Sequence, residues 1–382
     1  MEPRPSRRTD GITAFQVMEV MEAAKKLEAA GASVVHLEVG EPDFATPACV
    51  VAAAREAMLS GRTHYTHSLG LPELREEIAR RYAASARLAP SPDQILITAG
   101  TSPGMFLLFA VLLEPGDEVI LPDPSYSCYP NMIKFLGGVP VYVPARPENA
   151  FQLDPADVKK RISPRTRGIV INSPCNPTGA VLEPARMAAI AALGVPIVAD
   201  EIYHGLVYGP PPKSALAYAE TAFVIDGFSK RYAMTGWRLG YILVPPAFVR
   251  PLQKLSQNFY ISANDFIQWA ALAALRQAGP DVERMAATYD ERRRFLAPAL
   301  KRLGFEVPNE GQGAFYIFAG VRPFKLSSQR FGERLLQEAH VAVAPGNDFG
   351  PGGEGFVRFS YANSLDNIRE AVRRIEAFLA HV

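Results

Sequence analysis

The middle of the chain is dominated by short apolar runs rich in valine and isoleucine, each closed by turn-forming residues. Stretches with helix potential, such as residues 103–113 and 183–193, lie between several of these runs. Apolar strands that alternate with helices are typical of a mostly parallel sheet covered on both faces. We therefore predict an α/β fold with functional loops at the carboxyl ends of the strands. The seven predicted strands span residues 95–98, 118–121, 140–143, 168–171, 196–199, 222–225 and 240–244.

Both ends of the chain depart from this pattern. Apolar residues at helical spacing predict a helix over residues 17–30, capped by Gly31, and Pro72 is predicted to open a second helix. A charged helical stretch at 276–303 precedes predicted strands at 313–318, 341–344 and 356–360 and a terminal helix at 365–379. We predict an N-terminal arm (1–15), a large domain (46–275), and a smaller α+β domain built from residues 16–45 and 276–382.

Composition and charge exclude several classes of protein. Forty basic and 39 acidic residues leave a net charge of +1, whereas nucleic-acid binders carry a clustered basic excess. The longest apolar run, residues 105–113, is shorter than the roughly 18 residues that span a membrane. The N-terminus lacks the apolar segment of a secretory signal. Cys49, Cys128 and Cys175 are too few and too widely spaced for a zinc site or a disulfide framework. We predict a cytoplasmic protein with no metal, no nucleic-acid partner and no membrane contact.

One lysine follows a predicted strand in the segment FVIDGFSKRYAMTGWRLGY. Ser229 and Lys230 stand at the carboxyl end of the strand, and Arg238 comes eight residues after the lysine. The shiftable pKa of a lysine amine suits a Schiff base with a carbonyl cofactor. A solvated loop lysine beside a structural arginine explains the same residues equally well, so this segment alone leaves both explanations open.

Polar residues also follow three other predicted strands. Asp200 ends an apolar strand in PIVADEIY, where it would pair with a protonated pyridine nitrogen, or serve as a helix cap or core ion-pair partner. Asn176, in IVINSPCNPTG, can donate to a phenolate oxygen or simply form a turn. The segment ITAGTSPG places Gly100, Thr101 and Ser102 before a helix, where the free backbone N–H groups bind phosphate or are only structural.

Together, these segments resemble the class I and II aminotransferases, the fold type I pyridoxal phosphate enzymes of the aspartate aminotransferase superfamily, and especially their prokaryotic-type subgroup. GEPDFATP at residues 40–47 and HYTHSLGLP at residues 64–72 precede the four segments, and VRFSYA at residues 357–362 follows them. The motifs keep the family's order over nearly the whole chain. The resemblance implies pyridoxal 5′-phosphate as cofactor and amino-group transfer from an α-amino acid to a 2-oxo acid such as 2-oxoglutarate or pyruvate.

The resemblance also implies a role for each matched residue on the cofactor ring. Lys230 matches the lysine that forms the Schiff base (the internal aldimine) and moves the proton of the substrate. Asp200 matches the partner of the pyridine nitrogen, and Tyr203 and Asn176 match the pair on the cofactor's O3′ oxygen. Tyr126, in DPSYSCYP, matches the aromatic residue stacked on the ring, with simple core filling as the alternative.

The phosphate site shows one departure from the family. Many relatives carry a hydroxyl residue where this chain has Gly227. We expect either that Ser229 compensates or that the phosphate has one donor fewer. The residues that match the rest of the phosphate site are Gly100, Thr101, Ser102 and Arg238.

The substrate carboxylate and the subunit interface are matched as well. Arg358 matches the arginine that binds the α-carboxylate by a bidentate fork, and Gly40 matches a backbone contact to the same group. Tyr65 matches a tyrosine that reaches the phosphate of the neighbouring subunit's cofactor. The resemblance therefore implies a homodimer with shared active sites.

The side-chain pocket departs from the aspartate enzymes of the subgroup. Ser102 stands where those enzymes carry a lysine that helps to hold the distal carboxylate, and Ile12 and Phe15 are apolar candidates for the same pocket. A buried carboxylate without a cation is costly. We therefore predict an amino donor with a neutral, apolar or aromatic side chain, while Arg62 and Arg231 have no assigned place at this point.

Three alternatives remain open from the sequence. The chain is an aspartate aminotransferase if another cation replaces the missing lysine. A lyase or decarboxylase on the same fold is the nearest different reaction, although Arg358 would retain the carboxylate that a decarboxylase must lose. The most remote alternative is a non-catalytic cofactor-sensing regulatory protein, and no helix-turn-helix precedes the first motifs.

Overall fold

The computed structural model describes residues 3–84, 86–87 and 89–382. Its α-helices are α1 Gln16–Ala29, α2 Ala48–Leu59, α3 Pro72–Ala83, α4 Thr101–Leu112, α5 Cys128–Phe135, α6 Pro155–Arg161, α7 Pro184–Ala191, α8 Pro246–Phe259, α9 Asp265–Gln277, α10 Gly279–Arg302, α11 Ser328–Ala339 and α12 Leu365–Leu379. Its β-strands are β1 Val35–His36, β2 Ile95–Thr98, β3 Glu118–Asp123, β4 Val139–Pro144, β5 Thr166–Asn172, β6 Ile197–Asp200, β7 Phe223–Gly227, β8 Gly240–Leu243, β9 Tyr316–Gly320, β10 Val341–Ala342, β11 Ala344–Pro345 and β12 Phe356–Ser360.

Seven strands form one sheet in the order β2-β8-β7-β6-β5-β3-β4. All neighbours run parallel except β8, which is antiparallel to both β2 and β7. Each predicted strand is present, with its ends displaced by at most two residues. The predicted α/β fold with a mostly parallel seven-stranded sheet is therefore confirmed.

Helices cover both faces of this sheet, which explains why its strands are apolar throughout. On β6, Ala199 packs into a core that also contains Leu74 of α3 and Ala270 of α9. Its neighbour Val198 points to the opposite core, which contains Leu108 of α4. Because successive side chains of a strand alternate between faces, each strand contributes to both cores.

The C-terminal third and the first helix build a smaller α+β unit around a second sheet. Strands β11, β12 and β9 pair antiparallel in that order, and α10, α11 and α12 share an apolar core with β9 and β12. Ala24 of α1 packs against Leu336 of α11 and Ala342 of β10. The exact domain boundaries stay a prediction.

Several details differ from the expectations, and among them the strand predicted at 313–318 is displaced to Tyr316–Gly320. The stretch predicted as one helix at 276–303 is divided at Ala278, because the Gly279–Pro280 pair begins a new helix. The segment predicted as a strand at 341–344 forms two short strands that join different partners, β1 and β12. Helix α2 was not expected, since it has few polar residues to define a face, and it packs Val50 and Ala54 into the core lined by α9. Among the described residues, no helix is long and apolar enough to cross a membrane.

Candidate active site

A cavity of about 580 Å³ lies at the carboxyl ends of the parallel strands. Strands β5 and β6 end side by side with Asn172 opposite Asp200, and the loop after β7 brings Lys230 to the same edge. The topology therefore places the polar strand ends where a doubly wound sheet binds its ligands. The predicted site residues that line the cavity are Phe15, Gly40, Thr101, Ser102, Tyr126, Asn176, Asp200, Tyr203, Ser229, Lys230, Arg238 and Arg358.

Asp200 is a buried carboxylate whose two oxygens accept hydrogen bonds from uncharged donors. The Tyr129 hydroxyl donates to Oδ2 at 2.5 Å, and the Ile202 backbone N–H donates to Oδ1 at 3.2 Å. Burial raises the pKa of Asp200 to about 6, although the Tyr129 hydrogen bond opposes that change. A cationic ring nitrogen against this carboxylate would remove much of the cost of burying its charge.

Lys230 opens onto the cavity, where its Nζ donates to the Gly40 carbonyl at 2.5 Å. Withdrawal from bulk water lowers the pKa of this amine to about 8, which outweighs the opposing effect of Glu41. A larger fraction of the amine is then neutral near physiological pH than for an ordinary lysine. Such an amine can attack a carbonyl group and accept a proton.

The start of α4 forms an anion cradle with Arg238. Gly100 caps the helix at a φ of +106°, and a Cβ at this position would lie 2.7 Å from Arg238 Nη2. The first N–H groups of a helix have no intrahelical partners, so they and the guanidinium fit a phosphate. Any side chain at position 227 would bring its Cβ to 3.0 Å from Thr101 Cγ2. This close packing explains why the chain has Gly227 where many relatives carry a hydroxyl residue.

Arg358 is held on β12 with 2% of its surface exposed. Its Nη1 donates to Asn176 Oδ1 at 2.8 Å, and its Nη2 donates to the Glu38 carbonyl. Its buried Nε has no hydrogen-bond partner among the residues that the structure describes. Arg358 thus lines the cavity and keeps an unused donor, which a carboxylate could accept from.

Three predicted residues do not line the cavity within a single chain: Gly100, which caps the start of α4, and Tyr65 and Ile12. Tyr65 is 80% exposed, and Ile12 is 37% exposed. Phe15 lies at the cavity, edge-on to Tyr126 with ring centroids 6.0 Å apart. The roles predicted for Tyr65 and Ile12 depend on a neighbouring subunit or on a closed arm, and they stay predictions.

Sequence reasoning missed several residues of the cavity. Tyr129 and Tyr316 both line it, and so do Glu41 and Thr235, whose side chains hydrogen-bond to each other. Tyr129 is on the first turn of α5, and its ring lies edge-on to that of Tyr126, with centroids 5.3 Å apart, although Tyr126 precedes the helix. Tyr316 had no local signal in the sequence, because the pairing of β9 with β12 brings it to the site.

A larger cavity, of about 690 Å³, lies next to the first one and shares only Asp200 with it. It is lined by apolar residues such as Ile171, Met187 and Ala199, by the buried Glu201 and by the partly buried His204. Burial lowers the pKa of His204 to about 4. Because the lysine, the two arginines and the helix start all face the smaller cavity, we assign the chemistry to that one.

Comparison with known proteins decides the family. The model of the family "Aminotransferase class I and II" matches residues 32–375. The chain belongs to the class I and II aminotransferases. This aminotransferase is a transferase that uses pyridoxal 5′-phosphate, as its family does. The buried carboxylate of Asp200, the anion cradle at α4 and the amine of Lys230 fit the ring nitrogen, the phosphate and the aldehyde of that cofactor, in that order.

Several relatives of this aminotransferase are similar over their whole length. A (5-formylfuran-3-yl)methyl phosphate transaminase of Methanocaldococcus jannaschii is 39% identical over 98% of this chain and 99% of the relative. A valine–pyruvate aminotransferase of Mycobacterium tuberculosis is 39% identical over 97% of each chain. The structure of Thermus thermophilus aspartate aminotransferase with maleate has a TM-score of 0.95 and 38% identity, covering 99% of this chain and 100% of that one.

Proposed function

We propose that this aminotransferase takes its amino group from an α-amino acid with a neutral, apolar or aromatic side chain. The acceptor is a 2-oxo acid such as 2-oxoglutarate or pyruvate. The observation that carries the proposal is the shortage of cations in the cavity. Among its described lining residues the cationic side chains are Lys230, Arg238 and Arg358, and each has another task in the proposal. The wall further includes the apolar residues Phe15, Val17, Met18, Val39 and Ile202.

The cofactor, when bound, supplies an electron sink for the bonds at the substrate's α-carbon. Lys230 would bond to the cofactor aldehyde through its amine. Once the substrate amine displaces it from that carbon, the freed Lys230 amine would take the α-proton, since its lowered pKa suits a general base. Asp200 would hold the ring nitrogen as a cation, and Tyr203 and Asn176 would donate to O3′. Tyr126 would lie against the ring.

The remaining cofactor contacts hold the phosphate. The backbone N–H groups at the start of α4 and the Arg238 side chain are its donors, with Ser229 in support. The proposed phosphate residues are Gly100, Thr101, Ser102, Ser229 and Arg238.

Arg358 holds the α-carboxylate of the substrate, and the Gly40 backbone lies beside it. The guanidinium retains the carboxylate and so favours transamination over its loss as carbon dioxide. Asn176 accepts from Arg358 Nη1 at 2.8 Å, which ties the carboxylate site to the O3′ site. This tie fixes the orientation of the bound amino acid relative to the ring.

The two other arginines considered for a distal carboxylate are engaged elsewhere in the single chain. Arg62 lies over the ring of Trp269, with 5.0 Å from its Cζ to the ring centroid. Arg231 donates to the His204 carbonyl and does not line the cavity. The name of the mycobacterial valine–pyruvate relative supports an apolar donor, whereas the Thermus relative is named for aspartate.

We also propose a C2 homodimer with shared active sites. Tyr65 is exposed in the single chain, and so is a group of large apolar side chains, which is typical of a surface that binds another protein. These exposed side chains include Val51, Met58, Leu59, Phe259 and Ile261. All three cysteines are unpaired, which supports the predicted cytoplasmic location.

The experiment compares kcat/KM for aspartate with kcat/KM for alanine, valine, leucine and phenylalanine, using 2-oxoglutarate and pyruvate as acceptors. We expect the neutral donors to exceed aspartate by at least about 10-fold, the cost of a partly desolvated unpaired carboxylate. Ser102→Lys should narrow that ratio, whereas Ser102→Met, which adds similar length without charge, should not. A clear preference of the wild type for aspartate would overturn the proposal.

The reaction type has its own test. An amino acid alone should convert the bound cofactor to its amine form and release the 2-oxo acid. Loss of carbon dioxide without formation of the amine form would indicate the decarboxylase instead.

A further inference from the structure

Tyr316 lines the cavity and has no assigned role so far. It is 1% exposed at the first position of β9. Antiparallel pairing sets Arg358 opposite Phe318 and Ser360 opposite Tyr316, so Arg358 and Tyr316 are diagonal neighbours on one face of the sheet. The Arg358 guanidinium lies over the Tyr316 ring, with 4.3 Å from Cζ to the centroid.

The hydroxyl of the same tyrosine contacts two other parts of the site. Its oxygen is 2.7 Å from the hydroxyl oxygen of Tyr203, and both rings are buried. A Cβ on Gly40 would lie 2.2 Å from the Tyr316 hydroxyl, so only glycine fits there. Tyr316 thus touches the residues proposed for the substrate carboxylate, for O3′ and for the backbone contact beside Lys230.

We propose that Tyr316 is a positioning residue that orients the Arg358 guanidinium with its ring and the Tyr203 proton with its hydroxyl. The proposal rests on the proposed roles of Arg358 and Tyr203. The two hydroxyls share one hydrogen bond, in which only one of them is the donor. If Tyr203 donates to O3′, its proton is committed, and Tyr316 must donate to the Tyr203 oxygen. When the Tyr203 oxygen accepts a hydrogen bond from Tyr316, the hydrogen bond that Tyr203 donates to O3′ becomes stronger.

The ring and the hydroxyl can be separated by substitution. Tyr316→Phe keeps the ring under Arg358 and removes only the donor to Tyr203. Tyr316→Leu removes both. Tyr361→Phe is the matched control, because Tyr361 is a buried tyrosine whose hydroxyl lies 3.3 Å from that of Tyr208, and it does not line the cavity.

The first measurement is an absorbance titration of the loaded enzyme without substrate. A weaker donor to O3′ makes the cofactor oxygen more basic, so the pH midpoint of the visible band should rise in Tyr316→Phe. A loss of about 10–30% of a hydrogen bond to a charged acceptor corresponds to a rise of about 0.1–0.7 pH unit. Tyr361→Phe should keep the wild-type midpoint. An unchanged midpoint in Tyr316→Phe would refute the role of the hydroxyl, because this variant removes the hydroxyl and keeps the ring.

The second measurement separates KM from kcat. Tyr316→Phe should lower kcat and leave the KM of the amino donor within about 2-fold of wild type, because Arg358 keeps its aromatic support. Tyr316→Leu should also raise that KM by about 10-fold. Equal KM values for the two variants would refute the role of the ring. A wild-type enzyme that transfers no amino group would instead refute the proposed function, whatever these variants do.

Discussion

Replacing Tyr129 by phenylalanine should extend the pH range over which Asp200 destabilises the cofactor-free protein. The Tyr129 hydroxyl donates to Asp200 Oδ2 at 2.5 Å, inside a core where burial already raises the pKa of that carboxyl to about 6. A hydrogen bond to a charged group is worth about 1.5–3 kcal/mol. At about 1.4 kcal/mol per pKa unit, its loss should move the pKa of Asp200 up by about 1–2 units.

The sign of the pH dependence follows from linkage. The folded pKa of Asp200 lies above its ordinary value of 3.8, so the folded state holds the proton more tightly. The stabilising contribution is complete below pH 3.8 and is lost as the pH rises to about 6, which costs about 3 kcal/mol in total. In the variant the loss should continue to about pH 7–8 and reach a further ~1.5–3 kcal/mol.

The assay is urea unfolding of the cofactor-free wild type and variant between pH 5.5 and 8.5. Groups that titrate equally in both proteins cancel in the difference between their free energies of unfolding. That difference should grow with pH for Tyr129→Phe and stay flat for Tyr361→Phe, whose hydroxyl is remote from Asp200. Added pyridoxal phosphate should reduce the slope, because a cationic ring nitrogen would keep Asp200 ionised. A difference independent of pH for Tyr129→Phe would refute this account of Asp200.

Three further predictions concern other parts of the site. Lys230→Ala should lower turnover by at least about 10³-fold and abolish the visible absorbance band; activity near wild type would exclude Lys230 as the cofactor lysine. Tyr65→Phe should weaken cofactor affinity by about 10-fold or more in a dimer, and an active monomer in sedimentation would contradict the shared site. Gly100→Ala should lower the free energy of unfolding by about 1–3 kcal/mol and also weaken cofactor binding, because the new Cβ would meet Arg238 Nη2 at 2.7 Å. Gly116→Ala, at a φ of +88° in open space, should cost stability without changing cofactor affinity.

Local sequence was sufficient for the main sheet and for half of the site. Each strand of the sheet is a short run of β-branched and apolar residues closed by turn formers, so its place needed no knowledge of the partners. Asp200 and Lys230 follow directly from such strands, and a parallel sheet gathers the ends of its strands at one edge. The prediction of Gly100 had the same basis, since a small-residue turn before a helix is a local signal.

The other half of the site depends on pairings between distant parts of the chain. Arg358 meets Asn176 across 182 residues of sequence, and Tyr129 meets Asp200 across 71. No periodic pattern in the amino-acid sequence predicts either contact, because hydrogen bonds between elements depend on sheet register and helix packing. Tyr316 shows this most clearly: only the register of β9 against β12 brings its ring under Arg358, and only the approach of β9 to the turn after β6 brings its hydroxyl to Tyr203.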